Sequence, residues 1–328
     1  MLFFWILIFL FSLTLLIKSA DWLVESAEKI GLAFRISPFI IGVTIVAIGT
    51  SLPELASSVA AVLKDKTEIV SANAVGSNIA NILLIIGISA VLARSLSVKR
   101  SLIDLDAPLL ASTTILFLFI AWDKKINFVE GLLLLFAFLI YLLYTIFQRR
   151  EETEETQEVL PSRIERREKE AQKLIKDKES LNWKVFFFLI LGVLGLAVGA
   201  NYTIESMVQI SKILHIPSSL IAITALAVGT SLPELIVSAK AALRKKYEMA
   251  LGNVFGSNVF NLLLVVGIPS LIKNLNIDQQ TFTIGIPMMV VATFLFVISG
   301  ISKKIHIWEG AMYLIIYLFF VLKLYGLV

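Results

Sequence analysis

Runs of about twenty apolar residues follow one another along most of the chain, and short stretches between them hold the charged residues. A helix rises 1.5 Å per residue, so about twenty such residues cross a hydrocarbon layer of ~30 Å. Ten segments reach that length, roughly 2–20, 36–63, 70–93, 106–122, 128–147, 184–211, 216–243, 249–272, 281–301 and 305–325. The pattern predicts an all-α polytopic membrane protein with ten transmembrane helices. Residues 148–183 break it: Glu151, Glu152, Glu154, Glu155, Arg166, Arg167 and Lys169 cannot sit in lipid, and the composition suits a solvated, partly helical linker. The chain therefore divides into a first half, 1–147, a linker, 148–183, and a second half, 184–328.

Composition narrows the classes. The 328 residues are 58% hydrophobic with a mean hydropathy of +0.87, well above a soluble domain. The net charge of +4 is spread over short loops and forms no stripe for nucleic acid. With no cysteine there are no disulfides and no thiolate metal sites. The apolar N-terminus, Met1 to Ile17, has no basic leader and no small-residue cleavage site, and reads as the first span. No cofactor and no obligate protein partner are expected; the expected partners are the lipid bilayer and ions.

The two halves repeat each other. Gly49-Thr50-Ser51-Leu52-Pro53-Glu54-Leu55 returns 180 residues later as Gly229-Thr230-Ser231-Leu232-Pro233-Glu234-Leu235. Asn73, Gly76-Ser77-Asn78 and Asn81 return as Asn253, Gly256-Ser257-Asn258 and Asn261 at the same offset. Glu25-Ser26 matches Glu205-Ser206, and Glu130-Gly131 matches Glu309-Gly310 one residue out of step. Five spans per half make the second half enter the membrane from the opposite side, which gives two inverted five-helix repeats. With the N-terminus outside, most of the 29 Lys and Arg fall on the inner side, with or without those of the linker, so the linker is expected in the cytoplasm and the protein in the cell membrane.

Glu54 and Glu234 lie mid-span. One ionised carboxylate near the bilayer centre costs about 3 kcal/mol or more, and neither span offers a nearby Lys or Arg. Two such groups at equivalent repeat positions point to a cation that comes and goes rather than to protonated glutamates gluing helices. Thr50 and Ser51 share a helix face with Glu54. Pro53 lacks an N–H, so the carbonyl of Gly49 loses its helical partner, those of Ala47 and Thr50 are expected to loosen, and Gly49 gives freedom for the helix to open. Pro233 and Gly229 are expected to do the same around Ala227, Thr230, Ser231 and Glu234. Asn73, Ser77 and Asn81 stand along one helix face, as do Asn253, Ser257 and Asn261. Of these, Ser77, Asn81, Ser257 and Asn261 are nearest mid-membrane and are read as ion contacts. Asn73 and Asn253 are read as capping or packing residues, and Asn78 and Asn258 as structural hydrogen-bonders. Carboxylate, carbonyl, hydroxyl and amide oxygens suit calcium and sodium, whereas zinc and copper would want Cys or His, and the two histidines, His215 and His306, lie at span ends. Two carboxylates balance one calcium ion or hold two or three sodium ions, and that competition is a physical basis for exchange. An intramembrane enzyme is not supported: Ser51 and Ser231 have no His or Lys base at depth, and there is no H-E-x-x-H helix.

The paired G-T-S-L-P-E and G-S-N-x-x-N motifs resemble the repeats of the sodium/calcium exchanger family, within the cation/calcium antiporter superfamily, and the compact chain resembles its prokaryotic-type members. The resemblance covers the whole chain. It implies that Ala47, Thr50, Ser51, Glu54, Ser77 and Asn81, with Ala227, Thr230, Ser231, Glu234, Ser257 and Asn261, line the ion sites. It also implies that calcium and sodium are exchanged by alternating access, and that helices one and six slide against a fixed core, with Gly195 and Gly199 allowing close packing. Some members, including the potassium-dependent branch, carry Asp where this chain has Asn261, so Asn261 removes a possible third carboxylate and argues against potassium dependence. The alternative is a calcium/proton antiporter, whose members usually carry a G-N-A-x-E motif that this chain lacks.

Overall fold

The structure is a computed structural model that describes residues 2–34, 36–97, 107–155, 182–214, 231–324 and 326–328. Ten helices run through these residues. The first half contributes α1 (Leu2–Phe34), α2 (Pro38–Leu63), α3 (Thr67–Ala93), α4 (Ala107–Asp123) and α5 (Phe128–Glu155). The second contributes α6 (Trp183–Ile213), α7 (described over Leu232–Leu243), α8 (Tyr247–Ile272), α9 (Thr281–Ile301) and α10 (Ile307–Leu324). Residues 156–181 of the linker and 216–230 of the seventh expected span lie outside the described residues; the linker's first eight residues continue helix α5.

The polarity of the molecule is inverted, as a lipid solvent requires. Large apolar side chains such as Phe11, Phe119, Phe136, Phe294 and Phe319 face outward, while Glu54, Glu234, Asn81, Asn253, Asn258 and Asn261 are buried. Trp122, Trp183 and Trp308 stand exposed at helix ends, where an amphipathic ring suits the headgroup layer.

Two short β-pairs show how the halves are related. β1 (Ser95–Ser97), after α3, pairs antiparallel with β4 (Lys304–His306), between α9 and α10. β2 (Lys125–Ile126), between α4 and α5, pairs with β3 (Leu275–Asn276), after α8. Each pair joins one half to the other, and since a single span separates β1 from β2, the pairs lie on opposite membrane faces. An inverted pseudo-two-fold produces this arrangement.

Loop details repeat too. Lys66 N–H closes α2 onto Ala61 O (2.9 Å), and Lys246 N–H closes α7 onto Ala241 O (2.8 Å). The middle residue of each turn, Asp65 or Lys245, is left-handed at φ 60°. Glycine normally holds that place in such a helix-ending turn. A β-carbon there costs about 1–2 kcal/mol, and glycine gives back part of that as unfolded-state freedom. Lys245→Gly is therefore expected to raise stability by about 0.5 kcal/mol, read as a small rise in the thermal midpoint in detergent; a fall would contradict it.

The sequence match at Glu130-Gly131 and Glu309-Gly310 has a double cause. Each glutamate caps its own helix, Glu130 Oε2 accepting from Asn127 N–H (2.8 Å) and Glu309 Oε2 from His306 N–H (2.7 Å). Each glycine lets two helices touch: a β-carbon at Gly310 would come 2.9 Å from Gly87 O, and one at Gly131 would come 3.2 Å from Gly267 O. In lipid, where apolar burial gives helices no reason to associate, such small-residue contacts hold them together.

Helix α1 runs to Phe34, well beyond the expected end near residue 20. Its polar second half leaves the hydrocarbon and finds charged partners: Asp21 meets Lys240 (2.6 Å) and Arg244 (2.7 Å), Glu25 meets Arg244 (3.1 Å), and Glu28 meets Lys246. The apolar first half lies along α6. There Gly192 sits against Leu23 N, Gly195 against Ser19 and Gly199 against Leu16 N, and Thr203 donates to Ser12 (3.0 Å).

Candidate functional site

Four of the described helices contain a π turn; one, Thr281–Gly285, opens α9, and the other three each lie beside a predicted site residue. A π turn over Gly42–Val46 ends at Ala47, another covers Ala80–Ile86 and contains Asn81, and a third covers Asn261–Val265 and starts at Asn261. Such widened turns add a residue to one turn and redirect side chains, and they are frequent at functional sites. The expected opening at Gly49 is not observed. The stretch Ala47–Leu63 stays α-helical through Pro53, and Gly49 instead provides a close approach, since a β-carbon there would meet Val193 Cγ2 at 2.9 Å. The π turn ahead of Ala47 supplies the irregularity.

Sequence-distant residues converge here. Ser51 Oγ lies 3.0 Å from Glu234 Oε1 and 3.0 Å from Ser257 Oγ, so a hydroxyl of the first half bridges a carboxylate and a hydroxyl of the second. Glu54 and Glu234 are both buried, and Ser51, one turn from Glu54 on the same helix, reaches the Glu234 carboxylate. Asn81 donates through Nδ2 to Asn258 Oδ1 (3.2 Å), and Asn78 donates to the carbonyl of Asn258 (3.1 Å). The π turn that starts at Asn261 packs against Ala47–Leu63, and the turn holding Asn81 packs against α7. Ala47, Thr50, Ser51, Ser77 and Ser257 are buried. Ser231 is buried at the start of the described part of α7, and its carbonyl accepts from Leu235 N–H (3.0 Å). Ala227 and Thr230 lie outside the described residues.

Asn253 was expected to cap or pack. It stands two turns into α8, where Oδ1 accepts from Thr50 (3.2 Å) and Nδ2 donates to Ser238 (2.9 Å). A signal for it existed, since it shares the helix face of Ser257 and Asn261. Ser238 carried no motif and was missed.

The site has more acceptors than donors. Among the described residues nothing donates to Glu54 Oε1, Glu54 Oε2, Glu234 Oε2, Asn81 Oδ1 or Asn261 Oδ1, all of them buried. Buried polar atoms are nearly always paired, because each unpaired one costs about 1–3 kcal/mol and a charged one more. The amide nitrogens of Asn258 and Asn261 are likewise buried without a partner among the described residues. The orphaned oxygens come from four helices, two per half at equivalent positions, and all are hard. Such a set fits a hard cation and offers nothing to a soft one.

A family model described as sodium/calcium exchanger protein matches residues 4–147 and 184–326. This chain belongs to the sodium/calcium exchanger family. Sodium/calcium exchanger MaX1 of Methanosarcina acetivorans is 32% identical over 97% of this chain and 98% of its own. The inner membrane protein YrbG of Escherichia coli is 29% identical over 87% of this chain and 85% of its own. Among solved structures, the sodium/calcium exchanger from Methanococcus jannaschii superposes with a TM-score of 0.80 at 30% identity, covering 98% of each chain. The family is one of multi-pass membrane transporters, and the two blocks matched by its model are the two repeats, each of which supplies one of the buried glutamates.

Proposed function

We propose that this protein is a secondary active antiporter that exchanges calcium for sodium across the membrane by alternating access. The observation that carries the reading is the pair of buried carboxylates, Glu54 and Glu234, with three oxygens that no described residue satisfies. In this reading Ala47, Thr50, Ser51, Ser77, Asn81, Ser257 and Asn261 complete the ligand set, together with Ala227, Thr230 and Ser231 by repeat symmetry. One calcium ion neutralises both carboxylates; sodium ions spread over the same oxygens neutralise them instead. Holding both cargos at once would leave excess positive charge in a low dielectric, which is the physical reason for counter-transport. The N-terminus lies outside and the linker in the cytoplasm. The moving unit is the α1–α6 pair, whose glycine contacts make it one packed body and whose ion pairs at Asp21, Glu25 and Glu28 part as it slides.

The test is radioactive calcium uptake into vesicles holding the purified protein. Sodium-loaded vesicles diluted into sodium-free buffer should take up calcium, and collapsing the sodium gradient should stop the uptake. Uptake that follows an imposed pH gradient and ignores sodium would replace this reading with calcium/proton exchange.

A further inference from the structure

Thr50 has one hydroxyl proton and more than one acceptor in reach, the Glu234 carboxylate among them. Its Oγ1 lies 3.3 Å from the carbonyl of Ala47, one turn back, and 3.2 Å from Asn253 Oδ1 on α8. The choice matters to an ion. A proton aimed at Ala47 occupies that carbonyl and spends the hydroxyl on its own helix. A proton aimed at Asn253 leaves lone pairs on both Thr50 Oγ1 and the Ala47 carbonyl.

We propose that Asn253 is a positioning residue for transport: by taking the Thr50 proton it frees Thr50 and Ala47 together as ion ligands, and Ser238 holds its amide the right way round for this. A carboxamide has an accepting end and a donating end. Reversed, Asn253 would point its NH2 group at Thr50, and the hydroxyl proton would turn to Ala47 or to Glu234, occupying an ion ligand in either case. The bond from Asn253 Nδ2 to Ser238 Oγ (2.9 Å) sets the orientation, and Thr50, Asn253 and Ser238 are all buried, so no solvent competes for it. The chain Thr50–Asn253–Ser238 thus ties the ligand-bearing turn of α2 to α7 through α8.

The repeat supplies an internal comparison. Ser58 and Asn73 are the equivalents of Ser238 and Asn253, and among the described residues Asn73 Nδ2 and Ser58 Oγ are buried without a partner. Among the described residues, that half lacks the bond that Ser238 and Asn253 make in the other.

The inference rests on Thr50 and Ala47 being ion ligands, as proposed above, and the experiment separates the two. Half-saturating calcium and sodium concentrations and maximal rates are measured in vesicles for Thr50→Ala, Asn253→Ala, Thr50→Ala with Asn253→Ala, Ser238→Ala and Ser238→Thr. Asn253→Ala should raise the half-saturating concentration of at least one ion about tenfold, the ratio that one hydrogen bond's free energy gives. In the Thr50→Ala background it should add nothing, because its effect passes through that hydroxyl. Ser238→Ala should shift the same ion in the same direction, and Ser238→Thr, which keeps the acceptor, should restore it. If Asn253→Ala leaves half-saturation unchanged, or its effect multiplies with that of Thr50→Ala, the inference falls. Should Asn253→Ala fail to fold, the two Ser238 variants decide: no difference between them overturns it. If Thr50→Ala is itself without effect, the ligand assignment fails, and this inference with it.

Discussion

Glu54→Gln should abolish sodium-driven calcium uptake while leaving the protein folded. The amide is isosteric with the carboxylate, so the packing of α2 against α7 is kept. A buried neutral amide also costs less desolvation than a buried carboxylate, so the ion-free protein should be at least as stable as the parent. What is lost is charge. A divalent cation held against one carboxylate carries an uncompensated positive charge at membrane depth, which costs about 3 kcal/mol on insertion scales, a factor of about a hundred or more in affinity. Glu234→Gln should act in the same direction and slightly less completely. Its Oε1 already accepts from Ser51, a bond that an amide oxygen can keep, whereas both Glu54 oxygens are without a donor among the described residues. Two measurements check this: calcium uptake, and the rise in thermal midpoint that calcium gives the parent by binding its folded state. A Glu54→Gln variant that still transports calcium at the parent rate, or is still stabilised by calcium, would show that the cargo binds elsewhere.

The difference between the two glutamates also marks the limit of what sequence can tell. Identical seven-residue motifs at an offset of 180 residues made the inverted repeat and the buried acids legible, because composition bias does not produce such matches. The same identity hides asymmetry. Sequence treats Ser58 and Ser238 as equals, yet Ser238 is bonded to Asn253 while Ser58 has no partner among the described residues. Pro53 invited the expectation of an opened helix at Gly49. The widened turn falls instead at Gly42–Val46, where it packs against α8, a contact that local sequence does not announce. Helix α1 ends late for a similar reason. Hydropathy reads Asp21, Glu25 and Glu28 as the end of a span, but Lys240, Arg244 and Lys246, more than 200 residues away, give them partners and let the helix continue.

That contact between α2 and α8 makes Gly256→Ala the second large effect. An added methyl group would come 2.3 Å from the carbonyl oxygen of Val43 and 2.6 Å from Ala47 Cβ. The first obstacle is backbone and the second is anchored to it, so no side-chain rotation relieves the clash and the helices must separate. Overpacking of this kind costs about 1–3 kcal/mol, sometimes more. Gly42 and Gly252 leave no slack on the same seam: their added methyls would meet Met249 O at 2.5 Å and Phe39 O at 2.4 Å. Separation also carries function with it. Ser257 follows Gly256 directly and touches Ser51, and Asn253 lies one turn back and touches Thr50, so moving α8 away from α2 pulls both contacts apart. Gly256→Ala should therefore lower the thermal midpoint by several degrees and weaken calcium binding together, in purified protein assayed with and without calcium. Gly285→Ala is the matched control. Its added methyl meets Val75 Cγ1 at 3.1 Å, a side chain that can yield by a few tenths of an ångström, and Thr281 Cγ2 at an ordinary 3.8 Å, and it lies on α9, which carries no predicted site residue. Equal losses from the two substitutions would mean that the α2–α8 seam tolerates expansion and that the site is not held by glycine contact.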